Sequence, residues 1–137
     1  MIYLDTNIFV YAIINNKEAG DKCRRILTEV AEKKTEGFTS FLTWDEIVHV
    51  IRKNKGKDIA NIEGKKFLKF PNLNLLEVNE TIMFEAQKLS EEYNLKPRDA
   101  IHAATAIIKG IKEIISDDSD FDKIKELKRM VIDTFPH

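Results

Sequence analysis

The first ten residues, MIYLDTNIFV (1–10), predict a buried strand that ends at a carboxylate. Ile2–Leu4 is an apolar run of strand-favouring residues without alternation, which is typical of a parallel strand covered on both faces. Asp5 ends that run, and Thr6 and Asn7 follow it. Because open α/β sheets bind ligands beyond the carboxyl ends of their strands, Asp5 is a candidate site residue. Asp5 or Thr6 could equally serve only as the cap of the next helix.

Length and composition indicate one globular domain over residues 1–137, with 43% hydrophobic and 33% charged residues. The longest nearly apolar run, residues 8–14, is too short to span a bilayer, and we expect no signal peptide and no membrane partner. The single cysteine, Cys23, excludes an internal disulfide and a cysteine-rich zinc site, so a reducing cytoplasm is the expected compartment. The net charge of −1 does not indicate general nucleic-acid binding.

Short apolar runs alternate with longer amphipathic segments along the chain. This alternation predicts a parallel sheet covered by helices on both faces, with right-handed crossovers. The fold class is therefore a three-layer α/β/α sandwich around a central parallel sheet of four to five strands. The predicted strands are 2–4, 38–41, 73–76, 113–116 and 130–132, and the predicted longer helices are 18–34, one opening at 43–46, 58–70, 80–93 and 97–108.

Acidic residues occur at comparable places in this scheme. Asp5 ends the first strand, Glu46 lies in the first turn of the helix after strand two, Asp99 lies in the first turn of the helix before strand four, and residues 117–122 follow strand four. Each has a structural explanation: Glu46 completes an S/T-x-x-E capping box with Thr43, Asp99 suits the positive end of a helix, and the late aspartates form a turn.

Together these acids predict a cation site. Because neighbouring parallel strands end at one edge, Asp5 and the late aspartates must approach each other; periodicity leaves the position of Asp99 open. Two carboxylates about 4 Å apart repel by about 4 kcal/mol at an effective dielectric of about 20. Such groups take up protons or bind a cation, and an all-oxygen set suits Mg²⁺ or Mn²⁺. An open divalent site suits phosphoryl chemistry.

The sequence resembles a PIN domain, and specifically the small ribonuclease toxins of the VapC type. Four motifs carry the resemblance in order over nearly the whole chain: LDTN at 4–7, Thr43 with Glu46, RDAIHAA at 98–104, and SDDSDF at 116–121.

The resemblance implies an endoribonuclease that hydrolyses RNA phosphodiester bonds with Mg²⁺ or Mn²⁺. Asp5 and Asp99 would be the principal metal ligands, and the family's fold brings Asp99 to the same pocket. Glu46 and Asp118 would complete the catalytic acids, directly or through water. Surrounding residues that orient the carboxylates or contact phosphate would be Thr6, Asn7 and Ser116, with Asp120 close by; the surplus acids Asp117, Asp120 and Asp122 leave the fourth corner open.

The resemblance also implies partners. Many relatives are homodimers, and toxin members are neutralised by a small antitoxin protein. The RNA would be held by local cations, for which Lys53, Lys55, Lys57 and Arg98 are candidates. A free-standing RNA-processing nuclease and a catalytically inert nucleic-acid-binding PIN module remain as alternatives.

Two further classes fit local patterns less well. Glu46 with His49, and Asp99 with His102, match the E/D-x-x-H spacing of di-iron helical bundles. The predicted strands argue against a bundle, and we expect both histidines to pack or form hydrogen bonds. A phosphate-accepting receiver domain would need an acid after strand three, where the chain has Asn79.

Overall fold

The computed structural model describes residues 1–134 and has a single five-stranded sheet in the order β3-β2-β1-β4-β5, with every neighbouring pair parallel. This confirms the predicted sheet of four to five strands. The strands are β1 Ile2–Leu4, β2 Gly37–Ser40, β3 Asn74–Leu76, β4 Glu113–Ile115 and β5 Lys128–Met130. The helices are α1 Thr6–Ile14, α2 Glu18–Ala31, α3 Leu42–Lys55, α4 Lys57–Leu68, α5 Glu80–Tyr93 and α6 Pro97–Ile108, with 3₁₀ turns at Ser119–Lys123 and Ile132–Thr134.

The central strand β1 separates two apolar cores. Ile2 and Leu4 pack on one face against α1 to α4, whereas Tyr3 packs on the other against α5 and α6. This division follows from the two-residue period of a strand, which sends alternate side chains to opposite faces. Four buried alanines, Ala100, Ala103, Ala104 and Ala106, let α6 lie close to the sheet. The predicted three-layer sandwich is confirmed.

The predicted capping box at the start of α3 is wrong. The helix begins at Leu42, whose N–H donates to Ser40 Oγ at 3.0 Å. Thr43 Oγ1 is buried against Thr39 Oγ1 at 2.7 Å and does not cap the helix. Glu46 therefore lies beyond the first turn of α3 and has no capping role.

The last predicted strand, residues 130–132, is placed two residues late. The strand is Lys128–Met130, and its register sets Met130 opposite Ile115. Ile132 starts a 3₁₀ turn instead. The other predicted strands match to within a residue at each end.

None of the helices in the described part of the chain is long and apolar enough to cross a membrane. The prediction of one domain over 1–137 extends to residues 135–137, which lie outside the described residues.

Candidate active site

Asp5 lies where β1 and β4 end side by side, and it is only 6% exposed. Its Oδ1 accepts the Thr6 N–H at 2.8 Å, so Asp5 does cap α1. Its Oδ2 accepts the Ser116 hydroxyl at 2.6 Å. Burial raises the pKa of Asp5, against the opposing effects of His102 and the Ser116 hydrogen bond. Asp5 therefore caps α1, and its two hydrogen bonds fix its carboxylate at the edge of the sheet.

Ser116 connects Asp5 to the loop that follows β4. Its Oγ donates to Asp5 and accepts the backbone N–H of Asp118 at 2.9 Å and Asn7 Nδ2 at 3.4 Å. Asn7 keeps its Oδ1 buried without a hydrogen-bond partner in the described residues. One hydroxyl thus fixes the spacing between the first strand's acid and the late aspartates.

Asp99, whose position the sequence pattern left open, lies at this edge of the sheet. One oxygen each of Asp99, Asp118 and Asp120 lies within 4.8 Å of the others. Asp99 Oδ2 is buried and has no hydrogen-bond partner in the described residues. Burial, and then the charges of Asp118 and Asp5, raise the pKa of Asp99 to about 7. Lys123 Nζ lies 3.4 Å from Asp120 Oδ1, but neither Asp99 nor Asp118 forms an ion pair with a lysine or arginine in the described residues.

The surplus aspartates after β4 face different ways. Asp118 and Asp120 point to Asp99, and Asp118 Oδ1 also accepts the Asp120 N–H at 2.9 Å. Asp117 Oδ2 instead accepts the Tyr11 hydroxyl at 3.0 Å, towards α1. Asp122 is held by the Arg129 guanidinium through two hydrogen bonds of 2.9 and 3.0 Å. Of the four late acids, only Asp118 and Asp120 lie at the cluster.

Glu46 reaches the same region from α3. Its Oε1 accepts Thr6 Oγ1 at 2.8 Å and lies 2.5 Å from His102 Nε2. Burial raises the pKa of Glu46, but the His102 contact and the Thr6 hydrogen bond outweigh it and leave a net lowering. Burial likewise opposes protonation of His102, while Glu46 and Asp5 outweigh it and raise the pKa of the imidazole. Both shifts favour an ionised carboxylate beside the ring.

His102 is the site residue whose partners the sequence did not indicate. It forms hydrogen bonds, as predicted, with Glu46, Thr6 and Tyr3, and its ring also packs edge-on against that of Tyr3. The available signal was its spacing, since it follows Asp99 by three residues and so shares its helix face. His49 is exposed on α3. The parallel sheet excludes the di-iron bundle, and the strand order differs from that of receiver domains.

A cleft of about 730 Å³ opens beside Glu46, Asp99 and Asp118. Arg98 and Lys96 also line it, and Arg98 Nη2 lies 3.7 Å from Asp45 Oδ2. The other predicted RNA-binding cations, Lys53, Lys55 and Lys57, are exposed but do not line the cleft. Of the predicted cations, the structure brings only Arg98 to the acids, and it adds Lys96.

The family model for the PIN domain matches residues 2–127. The chain belongs to the PIN domain family. This confirms the resemblance seen in the four motifs. Ribonuclease VapC2 of Methanocaldococcus jannaschii is 24% identical over an alignment of 139 positions, which covers 93% of this chain and 91% of that protein.

Solved structures share this PIN fold. A VapBC2 complex from Rickettsia felis, bound to a DNA fragment from its promoter, superposes with a TM-score of 0.76 at 24% identity, covering 96% of this chain and 98% of that one. VapC20 of Mycobacterium tuberculosis, described as a sarcin-ricin loop cleaving toxin, gives a TM-score of 0.77 at 15% identity, covering 93% and 98%. At these identities the similarity establishes the common fold.

Proposed function

We propose that this PIN domain is an endoribonuclease that hydrolyses RNA phosphodiester bonds with the help of Mg²⁺ or Mn²⁺. The observation that carries the proposal is the cluster of Asp99, Asp118 and Asp120 beside an open cleft, with Asp5 and Glu46 next to it around His102. The ribonuclease name of the relative from M. jannaschii supports the reaction class.

The donor set fits a hard divalent cation. All the acids offer oxygen, and Asp99 Oδ2 is buried without a hydrogen-bond donor among the described residues. A carboxyl with a pKa of about 7 beside Asp118 is one that a cation would stabilise in its ionised form. Mg²⁺ and Mn²⁺ prefer carboxylate and water ligands. We assign Asp5 and Asp99 as principal ligands, with Glu46 and Asp118 completing the set and Asp120 beside it.

A divalent cation in this position supplies Lewis-acid stabilisation of phosphate charge and lowers the pKa of a bound water. The chain supplies orientation. Ser116 and the Thr6 N–H hold both oxygens of Asp5, which fixes the carboxylate before substrate arrives. Glu46 is ionised at neutral pH and lines the cleft, so it is placed to accept a proton from the attacking water.

The cleft's two cations suit an RNA backbone. Arg98 and Lys96 lie at its rim and are exposed, so they can contact phosphates without losing a buried partner. Lys53, Lys55 and Lys57 lie towards the far end of α3 and the start of α4 and would contact only a longer strand.

The test of this function is Asp5→Asn. We expect the variant to keep the fold and lose Mn²⁺-dependent cleavage of single-stranded RNA, because it removes the charge at the best-held carboxylate. Asp117→Asn is the matched control, since Asp117 faces Tyr11 outside the cluster. Full cleavage by the Asp5 variant would refute the site, and loss of cleavage in both variants would show that the change is not specific.

We further propose that the nuclease is the toxin of a toxin–antitoxin pair. Several similar structures are of toxin–antitoxin complexes, including one from Klebsiella pneumoniae and VapBC from Salmonella typhimurium. An apolar groove of about 340 Å³ between α1, α2, α3 and α4 offers a place for an apolar antitoxin segment, with Phe9, Ile13, Leu27 and Phe67 in its walls. The proposal predicts a small antitoxin gene beside this one, whose product should co-purify with the unaltered protein but not with Ile13→Glu, while RNA cleavage by the variant persists.

We also propose that the protein is a homodimer and that it acts in the cytoplasm. Phe84 is 70% exposed and Met83 46% exposed on α5, and such apolar surface is commonly covered by a second copy. Sedimentation analysis of the purified protein measures its oligomeric state directly. A free-standing RNA-processing nuclease would show the same chemistry without a neutralising partner.

A further inference from the structure

A chain of buried hydrogen bonds runs from Tyr3 in β1 through His102 in α6 to Glu46 in α3. Tyr3 and His102 are both fully buried. The Tyr3 hydroxyl lies 2.7 Å from His102 Nδ1, and His102 Nε2 lies 2.5 Å from Glu46 Oε1. Because α6 packs on one face of the sheet and α3 on the other, this chain joins the two helical layers at the edge that carries the acids.

The direction of the second hydrogen bond follows from the acceptor. An ionised carboxylate can only accept, so His102 Nε2 must carry the hydrogen that points to Glu46. Nδ1 is satisfied in either charge state of the ring: the Tyr3 hydroxyl donates to a neutral ring, and a protonated ring donates to the Tyr3 oxygen. The donor at Nε2 is therefore present in both states, and its function does not depend on titration.

Glu46 Oε1 thus has two donors, His102 Nε2–H and Thr6 Oγ1–H at 2.8 Å. An oxygen with two hydrogen bonds has little capacity left for a cation. No hydrogen bond to Glu46 Oε2 is found in the described residues, and Glu46 lines the cleft. His102 Nε2 also lies 3.9 Å from Asp5 Oδ1, between two carboxylates that would otherwise repel.

We propose that His102 is a positioning residue that holds Glu46 Oε1, so that Glu46 presents only Oε2 to the divalent cation and water in the cleft. The inference rests on the proposed metal-dependent function. Without the Nε2 donor, the long glutamate side chain would regain rotamer freedom and would have to be ordered by the cation itself. Removing a partner that orients a metal ligand typically costs about 10- to 100-fold in metal affinity or activity.

A matched pair of substitutions separates this role from packing. In His102→Gln, the side-chain amide nitrogen can take the place of Nε2 and donate to Glu46. In His102→Asn, the shorter side chain can reach only the position of Nδ1, beside Tyr3. Both remove the ring from the same buried position, so a pure packing role predicts similar losses from both.

The measurement is Mn²⁺ affinity by isothermal titration calorimetry on RNA-free protein, together with thermal melting of each variant. We expect His102→Gln to bind Mn²⁺ within about threefold of the unaltered protein and His102→Asn to bind at least about tenfold more weakly. Unchanged Mn²⁺ affinity in His102→Asn would overturn the proposal. Equal weakening in both variants, in step with their melting temperatures, would also overturn it and leave His102 as a packing residue.

A milder variant covers the case in which His102→Asn does not fold. Tyr3→Phe keeps the ring buried but removes the hydrogen-bond partner of His102 Nδ1, so the imidazole ring is held less firmly in its orientation towards Glu46. We expect an affinity for Mn²⁺ that is weaker by about tenfold, at the low end of such orienting effects; an affinity within about threefold of the unaltered protein would contradict the role. Asp5→Asn tests the metal site separately from the role of His102, because undiminished Mn²⁺ binding in that variant would overturn the metal site itself.

Discussion

Replacing Asp99 by asparagine should stabilise the metal-free protein and remove its nuclease activity. Asp99, Asp118 and Asp120 approach within 4.8 Å, and the charge of His102 only partly offsets the effects of burial and of the other acids on Asp99. Asparagine has nearly the same shape and can donate an N–H to Asp118, as the protonated acid does. The change therefore removes repulsion without removing packing, while it also removes a proposed metal ligand.

The size of the effect follows from the pKa of Asp99. The difference between about 7 in the folded protein and the ordinary 3.8 corresponds to about 4 kcal/mol for a fully buried, isolated group. Asp99 is only partly buried, and water and salt screen its repulsion from Asp118, so we expect about 1–2 kcal/mol. In a domain of this length that gain raises the melting temperature by about 3–8 °C.

The raised pKa of Asp99 also determines how the stability of the folded protein changes with pH. In the unfolded chain Asp99 loses its proton near its ordinary pKa of 3.8, but in the folded protein near about 7. Between these two pH values the folded state binds more protons than the unfolded chain, so the free energy of unfolding falls as the pH rises. The destabilisation caused by ionised Asp99 is complete above about pH 7. The advantage of Asp99→Asn should be small near pH 4 and full at about pH 8.

Urea unfolding with EDTA at pH 4.5, 6 and 8 measures these differences, and RNA cleavage with Mn²⁺ measures the activity. Asp117→Asn is the control, because Asp117 lies outside the cluster. If Asp99→Asn is no more stable than the unaltered protein at pH 8, or if its advantage does not grow with pH, the reasoning about crowded carboxylates is refuted.

Three further predictions address the metal, the hydroxyl pair and the sheet. Mn²⁺ at about 100 times its dissociation constant should stabilise the unaltered protein by about 2.7 kcal/mol in calorimetric melts; an equal gain in Asp5→Asn would place the ion elsewhere. Thr43→Val should cost about 1 kcal/mol in urea unfolding, because Thr43 Oγ1 pairs with Thr39. It should leave cleavage intact, whereas a lost activity would restore a role for Thr43 at the site. Gly37→Ala places a Cβ 2.7 Å from Val30 Cγ2 and should cost about 1–3 kcal/mol in the same assay; a neutral effect would mean that Val30 yields easily.

The sheet was predictable from sequence because its central strands are short, mostly apolar and followed at once by a polar residue. Ile2–Leu4 and Glu113–Ile115 are such runs, and once they are parallel neighbours, Asp5 and Ser116 must meet. Asp99 was not predictable from periodicity, since it lies before β4 rather than after it, and only the family resemblance placed it in the pocket. The S/T-x-x-E spacing of Thr43 and Glu46 wrongly predicted a capping box, because the Thr43 hydroxyl forms a hydrogen bond with the buried Thr39 hydroxyl instead.

The late aspartates and His102 show a different limit. Asp117, Asp118, Asp120 and Asp122 are chemically alike, and their directions depend on partners distant in sequence, such as Tyr11 and Arg129. His102 bonds to side chains 99 and 56 residues away, a relation that no local pattern carries. Tertiary contacts, rather than local preference, select which of these groups face the cleft.

The most direct test of a divalent cation at this edge is anomalous scattering from a crystal of the protein soaked in Mn²⁺. We expect a manganese peak coordinated by carboxylate oxygens of Asp5 and Asp99, with Glu46 contributing Oε2 alone, directly or through water. A peak only at other carboxylates, or full coordination that leaves out both Asp5 and Asp99, would contradict it.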